Sequence, residues 1–368
     1  MTGFVPPPYP YDRLAPLKLA AAAHPGGLID LSIGTPCDPP PPAVMAALAD
    51  PDATRSYPPS VGTIAYRQSV VDWLARRFSV DLPVEQVAAC VGSKELVAGV
   101  PHWLHLRTPH RDTVLYPEIS YPTYAMGATL AGCRSVPVPV DEHWRIRLDA
   151  IDPTDAACAL CLWVNTPGNP AGGLDDLGAA ASWGRANAVP VFSDECYAEF
   201  TWDGAPRSIL QHGAEGVIAV HSLSKRSNFA GARLGFFAGD ADLVGYLAEV
   251  RKHVGLMAPG PVQAAGAVAW ADDVHVAEQA GRYRERLDLL VTGLASWGLD
   301  ATFPGGAFYL WVPAPDGDAW TLAQRLAVEG GALVSPGEFY GEAGAGHVRV
   351  AAVQPTDRMR ELVGRLTG

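Results

Sequence analysis

Residues 221–236, HSLSKRSNFAGARLGF, set one lysine, Lys225, behind two serines and place a single arginine, Arg233, eight residues further on before a leucine and a glycine. A lysine taken at random is a solvated surface residue. The surroundings of this one point elsewhere. The stretch begins inside an apolar run, GVIAVHSLS (216–224), and leads into another, LGFFAGD (234–240). Five further runs of this kind precede it: VAACVGS (87–93), DTVLYP (112–117), SVPVPV (135–140), ACALCLWVN (157–165) and VPVFSDE (189–195). Segments of helical pattern separate them. Strands alternating with helices over residues 86–240 predict an α/β unit, a mostly parallel sheet sandwiched by helices. Ligands of such sheets gather at the carboxyl ends of strands. Four polar clusters stand there: GSKE (92–95), NTPGNPAGG (165–173), SDECY (193–197) and HSLSK (221–225).

Beyond Asp240 the periodicity becomes helical in ADLVGYLAEVRKHVGLM (241–257) and VHVAEQAGRYRERLDLLVTGLASWG (274–298), with apolar residues three and four apart. Short strands, GAFYLWVP (306–313) and GHVRVAAV (346–353), then flank a helix, AWTLAQRLAVEGG (319–331), which reads as a smaller α+β domain. The proline-rich opening ends in DPPPPAVMAALAD (38–50) and reads as an ordered arm entering a helix. The expected division is an arm, residues 1–45, joining the small domain; a large domain, 46–255; and a small C-terminal domain, 256–368.

A chain of 368 residues, 48% hydrophobic, buries sizeable cores without staples. Its net charge of −12 gives no footprint for nucleic acid. Residues 156–174 and 254–271 carry no charge, yet Asn, Pro and Gly interrupt them, so neither reads as a membrane span. The six cysteines are scattered, and the pair in CALC (158–161) reads as lying on one strand with its thiols on opposite faces. They read as reduced thiols of a cytoplasmic protein, and the opening MTGFVPPPYPYDRL lacks the pattern of a signal peptide.

Each polar cluster alone is ordinary: GSKE is a strand-to-helix turn, NTPGNP is turn material, and Asp194 and Glu195 pass for loop acids. Together they describe a site for a phosphorylated pyridine aldehyde. A lysine must form the Schiff base, and a carboxylate must keep the ring nitrogen protonated so that the ring accepts electrons. Donors must meet the phenolic oxygen, and hydroxyls, a helix start and an arginine must hold the phosphate. Lys225, Asp194, Asn169 with Tyr197, and Ser93, Ser222 and Arg233 supply those groups.

In order and spacing, NTPGNPAG, SDECY and SLSKRSNFAGARLGF resemble the signatures of the class I/II aminotransferases of fold type I, the aspartate aminotransferase superfamily, which use pyridoxal 5′-phosphate. LSIGTP (31–36) and GHVRV (346–350) extend the resemblance over nearly the whole chain. It implies that Lys225 anchors the cofactor and moves the substrate's α-proton, that Asp194 pairs with the ring nitrogen, and that Tyr197 and Asn169 contact the phenolic oxygen. Ser93 with Lys94, Ser222 and Arg233 would hold the phosphate, and Tyr121 would stack on the ring. Tyr57 resembles the tyrosine that reaches a neighbouring subunit's phosphate, which implies a homodimer with shared active sites. Arg349 resembles the arginine that forks the substrate α-carboxylate. Gly34 resembles a glycine of the N-terminal substrate loop, and Gly306 and Phe308 fall at the expected substrate wall.

The implied reaction is ping-pong amino transfer between an amino acid and a 2-oxo acid. IDLSIGTPCDPPPP, SYPPSVGTIAYRQSV, VRKHVGLMAPGPVQAA and SPGEFYG are most similar to the bacterial N-succinyl-L,L-diaminopimelate aminotransferases of lysine biosynthesis. A dicarboxylate substrate of that kind needs a second clamp away from Arg349. Arg13, Lys18, Arg226 and Asn228 are candidates, Arg226 and Asn228 first. An enzyme of the same fold acting on another amino acid in specialised metabolism, or a β-lyase, fits the same signatures.

Overall fold

The computed structural model describes residues 3–368. All seven apolar runs become strands of one sheet: β1 (Val87–Cys90), β2 (Thr113–Pro117), β3 (Arg134–Val138), β4 (Ala159–Asn165), β5 (Val191–Asp194), β6 (Val217–Ser222) and β7 (Gly235–Gly239). Their order is β1-β7-β6-β5-β4-β2-β3. The pairs from β6 across to β3 are parallel, whereas β7 runs antiparallel to both β6 and β1. The sheet is therefore mixed, with a single reversed strand.

Burial on both faces explains why the inner runs are apolar throughout, whereas the edge strand β3 buries only Val138 fully. All seven residues of β4 are buried. On β6, Val217 and Ala219 point into one core while Ile218 and Val220 point into the other. Helix α1 (Ile64–Phe78) covers the first face, burying Tyr66, Val70, Trp73, Leu74 and Phe78. Thr63 caps its start and a left-handed Ser79 ends it. Helix α2 (Ser93–Arg107) covers the opposite face with Leu96, Val97, Val100, Trp103 and Leu104. Cys158, read above as part of a strand, instead closes the helix Pro153–Cys158, and all six cysteines are free thiols.

The chain divides into two compact units. The larger comprises Thr35–Arg282 with Pro304–Ala307; the smaller comprises the segment ending at Gly34, Tyr283–Phe303 and Phe308–Gly368. The breaks fall at 34/35 and 282/283 rather than at 45/46 and 255/256. The reason is packing: helix Gly260–Ala271 lies against helix Pro42–Leu48 and against α1, which binds both segments to the larger unit. In the smaller unit β8 (Tyr309–Pro313), β9 (Ser335–Pro336) and β10 (His347–Ala351) form an antiparallel sheet with β10 central. Ile29–Asp30 pairs with Ala332–Leu333, which ties the N-terminal arm to this unit. Among the described residues no helix is long and apolar enough to cross a membrane.

A buried ion network fixes the short helix Leu223–Arg226 that carries Lys225. The Arg226 guanidinium meets Glu199 at 3.3 Å and Asp273 at 2.9 Å, donates to Ala269 O at 2.6 Å, and lies over the Trp73 and Trp270 rings. Burial presses against the ionisation of Glu199, but attraction to Arg226 and bonds from Arg77 and Trp73 outweigh it and lower its pKa. Removing one partner of such a pair strands the other. Arg226→Ala is expected to lower stability by about 3–5 kcal/mol, read from urea unfolding; a loss below about 1 kcal/mol, the size of a surface pair, would contradict this account.

Candidate active site

Asp194 ends β5, and its carboxylate is buried with a donor on each oxygen. Oδ1 accepts from Cys196 N at 3.2 Å, and Oδ2 accepts from the Tyr124 hydroxyl at 2.9 Å. Burial pushes its pKa up; the bonds from Cys196 and Tyr124 and the nearby His221 pull against that rise. Asn165 stands opposite Asp194 at the end of β4. Its Nδ2 donates to Asp194 O at 2.8 Å, and its Oδ1 accepts from Asn169 N, also at 2.8 Å. One amide thus ties the loop bearing Asn169 to the strand bearing Asp194. In that loop the Thr166–Pro167 and Asn169–Pro170 bonds are both cis.

The reversed strand decides where Arg233 goes. Because β7 runs against its neighbours, its first residues lie at the carboxyl edge of the sheet, and Arg233 comes two residues before it. Its guanidinium packs against the backbone at Gly92, where a Cβ would sit 2.2 Å from Nη2. Gly92 has a φ of 74°, so both space and conformation call for glycine. The next residue, Ser93, opens α2, placing a hydroxyl and a helix start beside a cation, a combination suited to a phosphate. Glu95 braces this turn: Oε1 accepts from Val91 N at 2.8 Å, and Oε2 meets the buried Arg251 at 2.7 Å. Ser222 caps the helix Leu223–Arg226, its Oγ accepting from Ser224 N at 3.1 Å. The Cys196 thiol lies 3.4 Å from Ser93 Oγ, linking the Asp194 side of the site to the Ser93 side.

Lys225 is half-buried, and Tyr197 and Asn169 are buried. Lys94 Nζ lies 6.0 Å above the Tyr121 ring, whose edge meets Tyr124 at 5.9 Å. The larger unit therefore holds Ser93, Lys94, Tyr121, Asn169, Asp194, Tyr197, Ser222, Lys225 and Arg233. Tyr57 belongs to it too, but is 94% exposed. Gly34 and Arg349 belong to the smaller unit. There a Cβ on Gly34 would strike the Tyr309 hydroxyl at 1.9 Å, so the glycine is needed for that approach. Arg349 is buried, donating to Ser32 O at 2.6 Å and lying over the Tyr309 and Tyr340 rings.

Two expectations change. Arg226 is committed to its buried ion network and offers no distal clamp. Asn228, with a φ of 54°, donates to Gln279 Oε1 at 3.0 Å in a tie to the 38–39 segment. Gly306 packs on Pro167 in the larger unit, and Phe308 stacks on Tyr283 in the core of the smaller one. Arg13 is paired with Glu338 at 2.7 Å, and Lys18 is exposed. Tyr124, Asn165, Glu95 and Asp175 were not singled out from the sequence. Only Asn165 carried a local signal, standing four residues before Asn169.

A buried carboxylate, a lysine on the adjacent strand's helix, and a serine–arginine corner at a helix start fit a phosphorylated pyridine cofactor. The aminotransferase class I and II family model matches residues 27–366. The chain is 43% identical to a probable aminotransferase of Mycobacterium tuberculosis, over 98% of this chain and 85% of that one. It is 39% identical to the 4-dedimethylamino-4-oxo-anhydrotetracycline transaminase OxyQ of Streptomyces rimosus, over 98% and 99%. Among solved structures, a probable N-succinyldiaminopimelate aminotransferase of Thermus thermophilus superposes with a TM-score of 0.87 at 31% identity, over 97% and 99%. The chain belongs to the class I and II aminotransferases, with the fold type I architecture. Its cofactor is pyridoxal 5′-phosphate.

Asp175 closes the loop between β4 and the next helix. It accepts from Ile146 N at 2.8 Å and exchanges hydrogen bonds with Thr166. Burial raises its pKa to about 6 from the usual 3.8. The folded state therefore binds this proton more tightly than the unfolded one, and stability from this group falls as pH rises between those values. The loss comes to about 3 kcal/mol. Asp175→Asn removes the titration while keeping an acceptor, so its urea-unfolding free energy is expected to fall less than the wild type's between pH 4 and pH 7; parallel profiles would refute the assignment.

Proposed function

We propose that this aminotransferase runs ping-pong amino transfer with 2-oxoglutarate and that its amino donor is N-succinyl-L,L-diaminopimelate. The observation that carries the chemistry is the convergence of Lys225, the buried Asp194 and the Arg233–Ser93 corner on one edge of the sheet. Pyridoxal 5′-phosphate, when bound, supplies an electron sink for the pair left at the substrate Cα. Lys225 Nζ would hold the cofactor and, once the incoming amino group has displaced it, would carry the proton taken from the substrate Cα. Asp194 holds a proton on the ring nitrogen. Tyr197 and Asn169 donate to the phenolic oxygen, and Tyr121 stacks on the ring. Ser93, Lys94, Ser222 and Arg233 hold the phosphate against the pull of the departing substrate.

Arg349 takes the α-carboxylate, with Gly34 beside the same substrate. A buried guanidinium already oriented by Ser32 O and two aromatic faces loses little freedom on binding, which supports this role. Retention of that carboxylate favours transfer over decarboxylation. Tyr57, lying open to solvent, supports a homodimer in which it reaches the partner's phosphate. Free thiols throughout support a cytoplasmic setting.

The substrate assignment is supported by the matching stretches along the chain and by the Thermus thermophilus structure. A second reading has its own support. The Streptomyces rimosus transaminase is 39% identical over nearly both full lengths, which favours a role in specialised metabolism with a different amino donor or acceptor.

Lys225→Ala is expected to abolish turnover together with the near-visible absorbance of the bound cofactor; retained turnover would sink the assignment. A donor panel with 2-oxoglutarate, comprising N-succinyl-L,L-diaminopimelate, N-acetylornithine, glutamate, aspartate and aromatic amino acids, tests specificity. The highest kcat/KM is expected on the succinylated donor. Failure there with activity elsewhere moves the enzyme out of lysine biosynthesis and supports the second reading.

A further inference from the structure

Asp194 receives its hydrogen bonds from two very different sources. The Cys196 N–H and thiol belong to the carboxylate's own turn, two residues on. The Tyr124 hydroxyl comes from α3 (Thr123–Leu130), 70 residues away in sequence. We propose that Tyr124 is a positioning residue for the ring-nitrogen proton: its phenol keeps Asp194 anionic and aimed, so that the shared proton stays on the nitrogen. This rests on the assignment of Asp194 to the ring nitrogen made above.

The phenol is held with little freedom. The Tyr124 ring is fully buried and stacks on Trp163, with centroids 5.1 Å apart and planes 20° apart, while Tyr121 meets it edge-on. Its helix is pressed onto α2 at Gly127, where a Cβ would come within 3.0 Å of Val97 O. The hydroxyl therefore cannot swing away to another acceptor without unstacking the ring. Burial and the adjacent Asp194 also hold the phenol's pKa well above its ordinary value, so it remains a donor at any working pH.

Each donor to a carboxylate makes it a weaker base, because each bond stabilises the anion. The pyridinium proton lies between that carboxylate and the ring nitrogen. With the phenol in place, the proton rests on nitrogen and the ring is a strong electron sink. Without it, the buried carboxylate becomes more basic and draws the proton away. A tyrosine serving only as core packing would be replaced by phenylalanine with no change at the ring nitrogen.

The experiment reconstitutes wild type, Tyr124→Phe and Asp194→Ala with pyridoxal phosphate labelled with ¹⁵N at the ring nitrogen, and reads its chemical shift at one pH near neutrality beside kcat and KM. Wild type is expected at the pyridinium position and Asp194→Ala at the neutral pyridine position. Tyr124→Phe should fall between them, with kcat down about tenfold, the scale of one hydrogen bond to a charged group, and KM within about twofold. A wild-type shift in Tyr124→Phe, with Asp194→Ala displaced, overturns the role of Tyr124 alone. An undisplaced Asp194→Ala overturns the Asp194 assignment and this inference with it. Should the phenylalanine variant fold poorly, 2,3-difluorotyrosine at position 124 keeps the ring and donates more strongly; it is expected to hold the pyridinium shift, and movement toward the neutral position would refute the inference.

Discussion

One reversed strand organises the larger unit. Had β7 run parallel to β6, its leading residues would lie at the amino edge of the sheet, and Arg233 would be a strand length from the start of α2. Antiparallel pairing on both sides instead returns the chain within the dozen residues between Ser222 and Gly235. Lys225 and Arg233 thus share one short excursion at the carboxyl edge. Gly235 makes the return possible, since a Cβ there would come 2.3 Å from His221 O.

Around that excursion, charge is buried only where it is answered. Asp194 has Tyr124 and Cys196, Arg226 has Glu199 and Asp273, and Arg251 has Glu95. Such pairs contribute little net stability compared with apolar packing of the same volume. Their worth here is positional. Arg226 fixes the one-turn helix next to Lys225, and Glu95 fixes the turn before Ser93. The rigid frame is therefore built from residues immediately beside the chemical ones in sequence, turned away from the site and into the protein.

This arrangement explains what was legible in the sequence. The inner strands showed as apolar runs because both sheet faces are covered there, and Lys225, Asp194, Asn169 and Arg233 showed because each stands in a local pattern with fixed spacing. Tyr124 and Glu95 did not show, since their meaning comes from partners 70 and 156 residues away. Arg226 was misread for the opposite reason. Its place beside Lys225 suggested a substrate contact, whereas consecutive residues of a one-turn helix face different directions and only Lys225 is half-open. The unit boundaries were missed because helix-on-helix packing, which assigns Gly260–Ala271 to the larger unit, leaves no mark in periodicity.

Gly306 has an evolutionary consequence. A Cβ there would stand 2.5 Å from both Cβ and Cγ of Pro167, and Gly172 meets the same strip of backbone from the other side, where its own Cβ would lie 2.7 Å from Gly306 O. Any side chain at position 306 would push on the loop that carries Asn169. Position 306 is thereby closed to enlargement by drift or selection, since every larger residue would disturb that loop before it could do anything else.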